Sequence, residues 1–432
     1  MKILFVYPRF QRHAESNPGL REVVPMKEYL GSPSLGIAAI AAMTPKDWTV
    51  EFRDDRVVAA DRPTDADIVA LSFFTPAARR GLELADYFRA EGRAVVAGGI
   101  FPTMMPEVVE PHVDAVVVGE GEGVWLELLR DFVEHKRLKP LYRAEPNLDL
   151  ENLPLPDVRV YLENESPTLP PDDYPVQISR GCALSCQACV LPYSMTRNLR
   201  LFSVSHVVGQ MEQLSKAGKR ACLTEDTAWF PGSSGRRLMG SLFDYLAERP
   251  GDALISYVGI SMPMILSTKP AFFERAKAAG VNMFYLVGGF DPISMRAFTG
   301  DDPVSLQKAE DSIAKAWDMG IEPYTSFLLG GDQDDLGTVD RMLEFANRTK
   351  IRKAEFAVFT PYPGTPSWHR LLKEDRILTQ DWSKYNDANV VFRPAKMTPE
   401  QLHEGYMRLW TEFYRERMSL STLSDAERTI QF

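Results

Sequence analysis

Pro175-Val-Gln-Ile-Ser-Arg-Gly-Cys-Ala-Leu-Ser-Cys-Gln-Ala-Cys-Val190 decides how the rest of the chain is read, because it holds three of the four cysteines in 432 residues. Cys182, Cys186 and Cys189 follow a strand-like run at C-x3-C-x2-C spacing. Thiolates grouped in this way are preferred ligands of iron-sulfur centres, and three of them leave one iron open. Structural zinc wants a closed set of four, usually completed by a second C-x2-C or H-x3-H pair, and the chain has none. Four cysteines in so long a chain do not make a disulfide scaffold. Ala183, Leu184, Ala188, Val190 and Leu191 give the loop an apolar shell, which tends to lower a cluster's reduction potential.

The loop and the strand before it resemble the radical S-adenosylmethionine (SAM) superfamily. That resemblance implies a 4Fe-4S cluster whose open iron is chelated by the amino and carboxylate groups of SAM. One-electron cleavage would then give a 5'-deoxyadenosyl radical, with a low-potential donor such as flavodoxin or ferredoxin as partner. Ala188 stands where the family usually carries an aromatic residue. Relatives have an acidic pair at the end of the second barrel strand, which here falls on Glu225 and Asp226, suited to the SAM ammonium. The run Gly288-Gly-Phe-Asp291 is similar to the family's Gly-Phe-Glu-Ser, so Asp291 is a further candidate for the SAM ribose or amino group.

A formal charge of -10, with no basic cluster, argues against a nucleic-acid partner and favours a small-molecule substrate. No apolar run approaches the roughly 20 residues that span a bilayer. The opening Met-Lys-Ile-Leu-Phe-Val-Tyr is too short and abrupt for a signal peptide, so a cytoplasmic protein is expected.

The first third alternates β-branched runs at Lys2–Tyr7, Thr49–Asp54, Ile68–Phe74, Ala94–Ala97 and Ala115–Gly119 with amphipathic helices. This predicts a doubly wound parallel sheet of Rossmann or flavodoxin type, with ligands at the carboxyl ends of its strands. Those ends carry Leu71-Ser-Phe-Phe-Thr75, Gly98-Gly-Ile-Phe-Pro-Thr103 and Gly119-Glu-Gly-Glu122. Glycine pairs let backbone approach a bulky ligand, and hydroxyls can bond it. The order resembles the cobalamin-binding domain found ahead of many radical SAM modules. It implies that Ser72, Thr75, Gly98, Gly99, Thr103, Gly119, Glu120 and Glu122 surround the corrin and its nucleotide tail. Pro33-Ser-Leu-Gly36 matches that domain's helix start. The Asp-x-His-x-x-Gly loop supplying a lower axial histidine is missing, so cobalamin is expected base-off without one. His13 reads as a solvated loop residue.

A linker rich in proline and acidic residues, 144–175, separates residues 1–143 from a second series of six β/α units. These predict a partial (β/α)6 TIM-type barrel over 176–395 with chemistry at its strand ends. The segment 396–432 reads as a helical cap. Gly330-Gly-Asp332 and Thr360-Pro-Tyr-Pro-Gly-Thr365 resemble loops of cobalamin-type radical SAM proteins. The stretch from Trp382 to Met397 resembles the tail of hopanoid-methylase-like members. Cys222, inside a predicted strand, reads as a small buried residue or a second sulfur facing the site.

The two modules together imply a cobalamin-dependent radical SAM enzyme, a C-methyltransferase acting at an unactivated carbon. The alternatives are oxidative cyclisation or ring rearrangement without net methyl transfer, a non-radical cobalamin-dependent methylase, and a non-catalytic cobalamin or cluster sensor. Neither a catalytic residue nor the substrate follows from the sequence.

Overall fold

Lys2–Tyr7 (β1) is apolar after its first residue, and it pairs in parallel with Thr49–Asp54 (β2) on one side and Ile68–Ser72 (β3) on the other. Ala94–Gly98 (β4), Ala115–Val118 (β5) and Leu141–Arg143 (β6) follow in parallel, giving the order β2-β1-β3-β4-β5-β6. The computed structural model describes residues 1–24, 32–168, 170–184, 186–224, 233–249, 255–286, 291 and 293–420. Alternate residues of the sheet serve two separate cores: Phe5, Ala70, Val96 and Val117 face one, and Leu4, Val69, Val95 and Val116 the other. Both faces are therefore covered, which is why the strands are apolar without alternation. Strand order reverses between β1 and β3, and that switch point opens a crevice at their carboxyl ends.

Asp173–Gln177 (β7) begins the second sheet. Next comes a two-residue hairpin, Ser179–Arg180 (β8) antiparallel to Arg200–Leu201 (β9), which closes the base of the cysteine loop. Arg220–Thr224 (β10), Ile255–Ile260 (β11), Met283–Leu286 (β12), Glu322–Leu329 (β13) and Lys353–Val358 (β14) continue the parallel sheet in strictly sequential order from β7. One set of side chains, including Tyr174, Val176, Val258, Phe284 and Phe356, is buried in the hydrophobic core. The alternate set is polar. Tyr257, Tyr285 and Tyr324 lie side by side with ring centroids 5.8 and 4.9 Å apart, and the Tyr285 hydroxyl donates to Glu355 at 3.0 Å. This is the predicted pairing of a doubly wound sheet with a partial barrel.

The helix Pro399–Leu420 seals the far edge of the barrel. Trp410 Nε1 donates to the Phe356 carbonyl at 3.2 Å and the Tyr414 hydroxyl to that of Ala354 at 2.6 Å, so the cap is tied to β14 through its backbone. Among the described residues no helix is long and apolar enough to cross a membrane.

Candidate functional site

The crevice at the switch point is a cavity of about 460 Å³. Its lining is mainly apolar, with Phe5, Ile37, Ile40, Val96, Val117 and Trp125 among it, and carries polar groups such as Ser72, Thr103 and Arg180. Size and lining suit a flat, largely apolar ligand group held by a few polar contacts. Of the residues singled out from the sequence, Ser72, Gly98, Gly99, Thr103, Gly119, Glu120 and Glu122 line it. Thr75 does not: it is buried at the start of the turn Thr75–Ala77, behind the wall.

Backbone geometry explains the glycines. Gly99 has φ +99°, and a Cβ there would sit 2.9 Å from the Phe73 carbonyl oxygen; Gly119 has φ +88°. Both are conformations that side chains resist. Thr103 accepts the Gly119 N–H at 3.1 Å and so fastens the loop after β4 to the loop after β5. Gly99→Ala is accordingly expected to cost about 1–3 kcal/mol in backbone strain. It should also weaken hydroxocobalamin binding at least tenfold, which absorbance titration beside a thermal melt checks.

Tyr161, from the segment between the sheets, fixes the opposite rim. Its hydroxyl donates to the Ser34 carbonyl at 2.6 Å and accepts the Ala38 N–H at 3.0 Å, holding the start of the helix Gly36–Met43.

The carboxylates of Glu120 and Glu122 are engaged across the domain boundary. Arg180 donates to Glu120 at 3.2 Å and to Glu122 at 2.6 Å, while Arg200 donates to Glu120 at 2.7 Å. Arg180 is also held by Gln177 at 3.0 Å. The two carboxylates expected around the corrin thus also clamp the first sheet to the base of the cysteine loop. Arg180, Gln177, Ser194 and Met195 line the same cavity from the barrel side. Sequence reading missed them, although Arg180 stands two residues before Cys182.

Cys182, Cys186 and Cys189 form no disulfide, the first being buried and the others half-buried. Gly181, at φ +86°, leaves no room for a side chain: a Cβ would lie 2.2 Å from the Asn198 carbonyl oxygen. The Cys182 N–H donates to the Thr196 carbonyl at 3.0 Å, and the Gln187 carbonyl accepts the Ser367 N–H at 3.0 Å. The helix Pro366–Lys373, which follows the Pro-Tyr-Pro-Gly-Thr loop, thereby supports the cysteine loop. The Cys186 thiol is pushed up by burial, by Cys182 beside it and by the Asp291 charge. No three His, Cys, Asp or Glu side chains converge on one point among the described residues. A cubane takes each thiolate on a different iron, so a donor set of three thiols on one braced loop fits it without such convergence.

Asp291 is buried, and its carboxylate accepts from the Ile293 and Ser294 N–H groups at 2.9 and 3.2 Å and from the Ser294 hydroxyl at 2.7 Å. Burial raises its pKa despite those bonds. Glu225 and Asp226 lie outside the described residues, as do Gly288, Gly289 and Phe290. Asp332 is taken up by Arg370 and Arg376 at 2.8 and 2.9 Å.

His13 requires a correction. Expected as a solvated loop residue, it is only 2% exposed, carries φ +32°, and joins the domains. Its Nδ1 lies 2.9 Å from the Tyr406 hydroxyl and its Nε2 3.3 Å from Glu355. Arg12 donates to the same Glu355 oxygen at 2.8 Å. Sequence spacing could not bring a loop after β1 to a carboxylate on β14. Cys222 is buried on β10, its thiol pushed up by burial and by the Asp173 charge.

The switch-point cavity of the first sheet is closed on one side by residues that flank the cysteine loop of the (β/α)6 barrel. The comparisons agree with the geometry. The profile of the B12-binding domain matches residues 29–129, and that of a domain of unknown function, DUF4070, matches 365–424. The bacteriochlorophyllide d C-8(2)-methyltransferase of Chlorobaculum tepidum is 25% identical over 92% of this chain and 89% of its own length. The hopanoid C-2 methylase of Rhodopseudomonas palustris is 24% identical over 95% of this chain and 76% of its own. Among solved structures, the radical SAM methyltransferase TsrM from Kitasatospora setae, with cobalamin and a [4Fe-4S] cluster bound, superposes with a TM-score of 0.64. That match covers 99% of this chain and 89% of TsrM at 14% identity. Residues 29–129 thus match a B12-binding domain, and the chain as a whole shares the fold of a radical SAM methyltransferase.

Proposed function

We propose that this protein is a cobalamin-dependent radical SAM C-methyltransferase acting on an unactivated carbon of a small molecule. The carrying observation is that one wall of the switch-point cavity is made by residues flanking the three cysteines, Arg180 before them and Ser194 and Met195 after. A corrin seated on the cavity rim would thus lie next to the cluster loop, with room for substrate only between the two. When bound, cobalamin supplies the transferable methyl group and the cluster with SAM supplies the hydrogen-abstracting radical.

In this reading Cys182, Cys186 and Cys189 hold the cluster, and Asp291 with Glu225 and Asp226 orients SAM. Ser72, Gly98, Gly99, Thr103 and Gly119 receive the cofactor's nucleotide end directly. Thr75 supports that wall, and Glu120 and Glu122 serve through Arg180 and Arg200. The functional units are 1–143, the linker 144–175, the barrel 176–395 and the cap 396–432. The protein would work in the cytoplasm with a flavodoxin or ferredoxin as electron donor.

The test is anaerobic incubation of reconstituted protein with methyl-labelled SAM, reductant and fractionated small-molecule extract. One labelled methyl in a product, with 5'-deoxyadenosine released alongside, is expected. An unlabelled product of altered oxidation state would transfer the protein to the cyclases, and methylation without 5'-deoxyadenosine to the non-radical methylases.

A further inference from the structure

Ser194 is 6% exposed, and its hydroxyl has no hydrogen-bond partner. It ends the short helix Leu191–Ser194 that closes the cysteine segment, and it lines the switch-point cavity together with Met195 and Arg180. That helix packs against Ile100–Met104, the turn that follows the Gly98-Gly99 pair. A buried hydroxyl left unsatisfied costs stability, so the bare protein gains nothing from it. An orphaned donor and acceptor on a cavity wall is what a ligand's own polar group would complete.

We infer that Ser194 is a cofactor-binding residue contributed by the barrel, hydrogen-bonded to a carboxamide on the corrin rim. This rests on the cobalamin reading above and adds to it a contact from the radical SAM side of the cavity. A hydroxyl can both donate to a carboxamide oxygen and accept from its nitrogen, so either amide orientation satisfies it. The neighbours exclude an anionic partner as the simpler choice: the Arg180 charge is already met by Glu120 and Glu122. Because Ser194 and Arg180 bracket the cysteines, the wall that receives the corrin and the loop that receives the cluster are one piece of chain.

Ser194→Ala separates a ligand role from a structural one. Removal of an unpaired buried hydroxyl should leave the thermal midpoint of the cofactor-free protein unchanged or raised. Hydroxocobalamin titrated into the same protein should bind about three- to tenfold more weakly than to the parent, the usual worth of one neutral hydrogen bond. Lys139→Ala, a change at an exposed residue paired with Glu127 and Asp131 away from the cavity, should bind as the parent does. Equal affinity in Ser194→Ala overturns the inference. So does a lowered midpoint in the cofactor-free variant, which would make Ser194 a packing residue. If the parent protein itself takes up no hydroxocobalamin, the cobalamin reading falls first, and this inference with it.

Discussion

Anaerobically reconstituted protein in which Cys182, Cys186 and Cys189 are all alanine is expected to hold essentially no iron or acid-labile sulfide, against a full cubane in the parent. The visible absorbance of the cluster should vanish with it. Three thiolates are the whole protein contribution to such a centre, so their removal leaves only solvent ligands and no retained metal. Each single replacement should lower iron content sharply as well, since two anchors hold a cubane poorly. Cys222→Ala is the internal control. Its thiol sits on a barrel strand rather than on the loop, and burial with the nearby Asp173 charge keeps it protonated, which disfavours metal binding. Iron and sulfide analysis with an absorbance spectrum reads all the variants. Undiminished iron in the triple variant, or zinc in its place in the parent, would end the cluster assignment and with it the radical chemistry.

Much of this architecture was legible because both sheets are parallel and buried on at least one face. Ile68–Ser72, Arg220–Thr224 and Met283–Leu286 are short apolar or β-branched runs, and their structure follows from burial alone. Leu141–Arg143 was missed because an edge strand of three residues with Leu141 and Arg143 exposed carries no such signal. The cysteine loop was legible for a different reason: ligand spacing is local in sequence. What escaped were pairings between distant segments. The pairing of Glu120 and Glu122 with Arg180 and Arg200 joins segments about 60 to 80 residues apart and has no local signal. Tyr161 looked like linker, yet it holds the helix start at Ser34 and Ala38. His13 is the clearest case, since a histidine just after a strand looks solvated unless something from residue 355 or 406 covers it.

That same histidine belongs to a second contact between the two sheets, whose loss should loosen the native domain arrangement. Glu355→Ala would leave the buried His13 and the part-exposed Arg12 without their carboxylate, at a cost of about 1–3 kcal/mol. Burial by itself would raise the Glu355 carboxyl, but the hydrogen bond from His13, the Arg12 charge and the Tyr285 hydroxyl outweigh it and bring the pKa down to about 2. A carboxyl held below its unfolded value stabilises the fold above the ordinary carboxylate range and stops doing so as pH falls. The contribution is therefore complete at neutral pH and is lost progressively from about pH 4.5 down to about 2, on the order of 3 kcal/mol in all. His13 acts in the same direction and earlier. Burial lowers its pKa, so below its ordinary value of 6.5 the unfolded chain gains a proton that the folded one resists. Kept neutral, His13 donates from Nε2 to the carboxylate and accepts the Tyr406 hydroxyl at Nδ1, which fixes its ring. Denaturant unfolding at pH 7, 5 and 3.5 should show the parent losing stability steeply between the last two points. Glu355→Gln, similar in shape but without the charge, should start lower and fall less over that interval. Parallel pH profiles for the two proteins would show that this carboxylate is not what ties the first domain to the barrel.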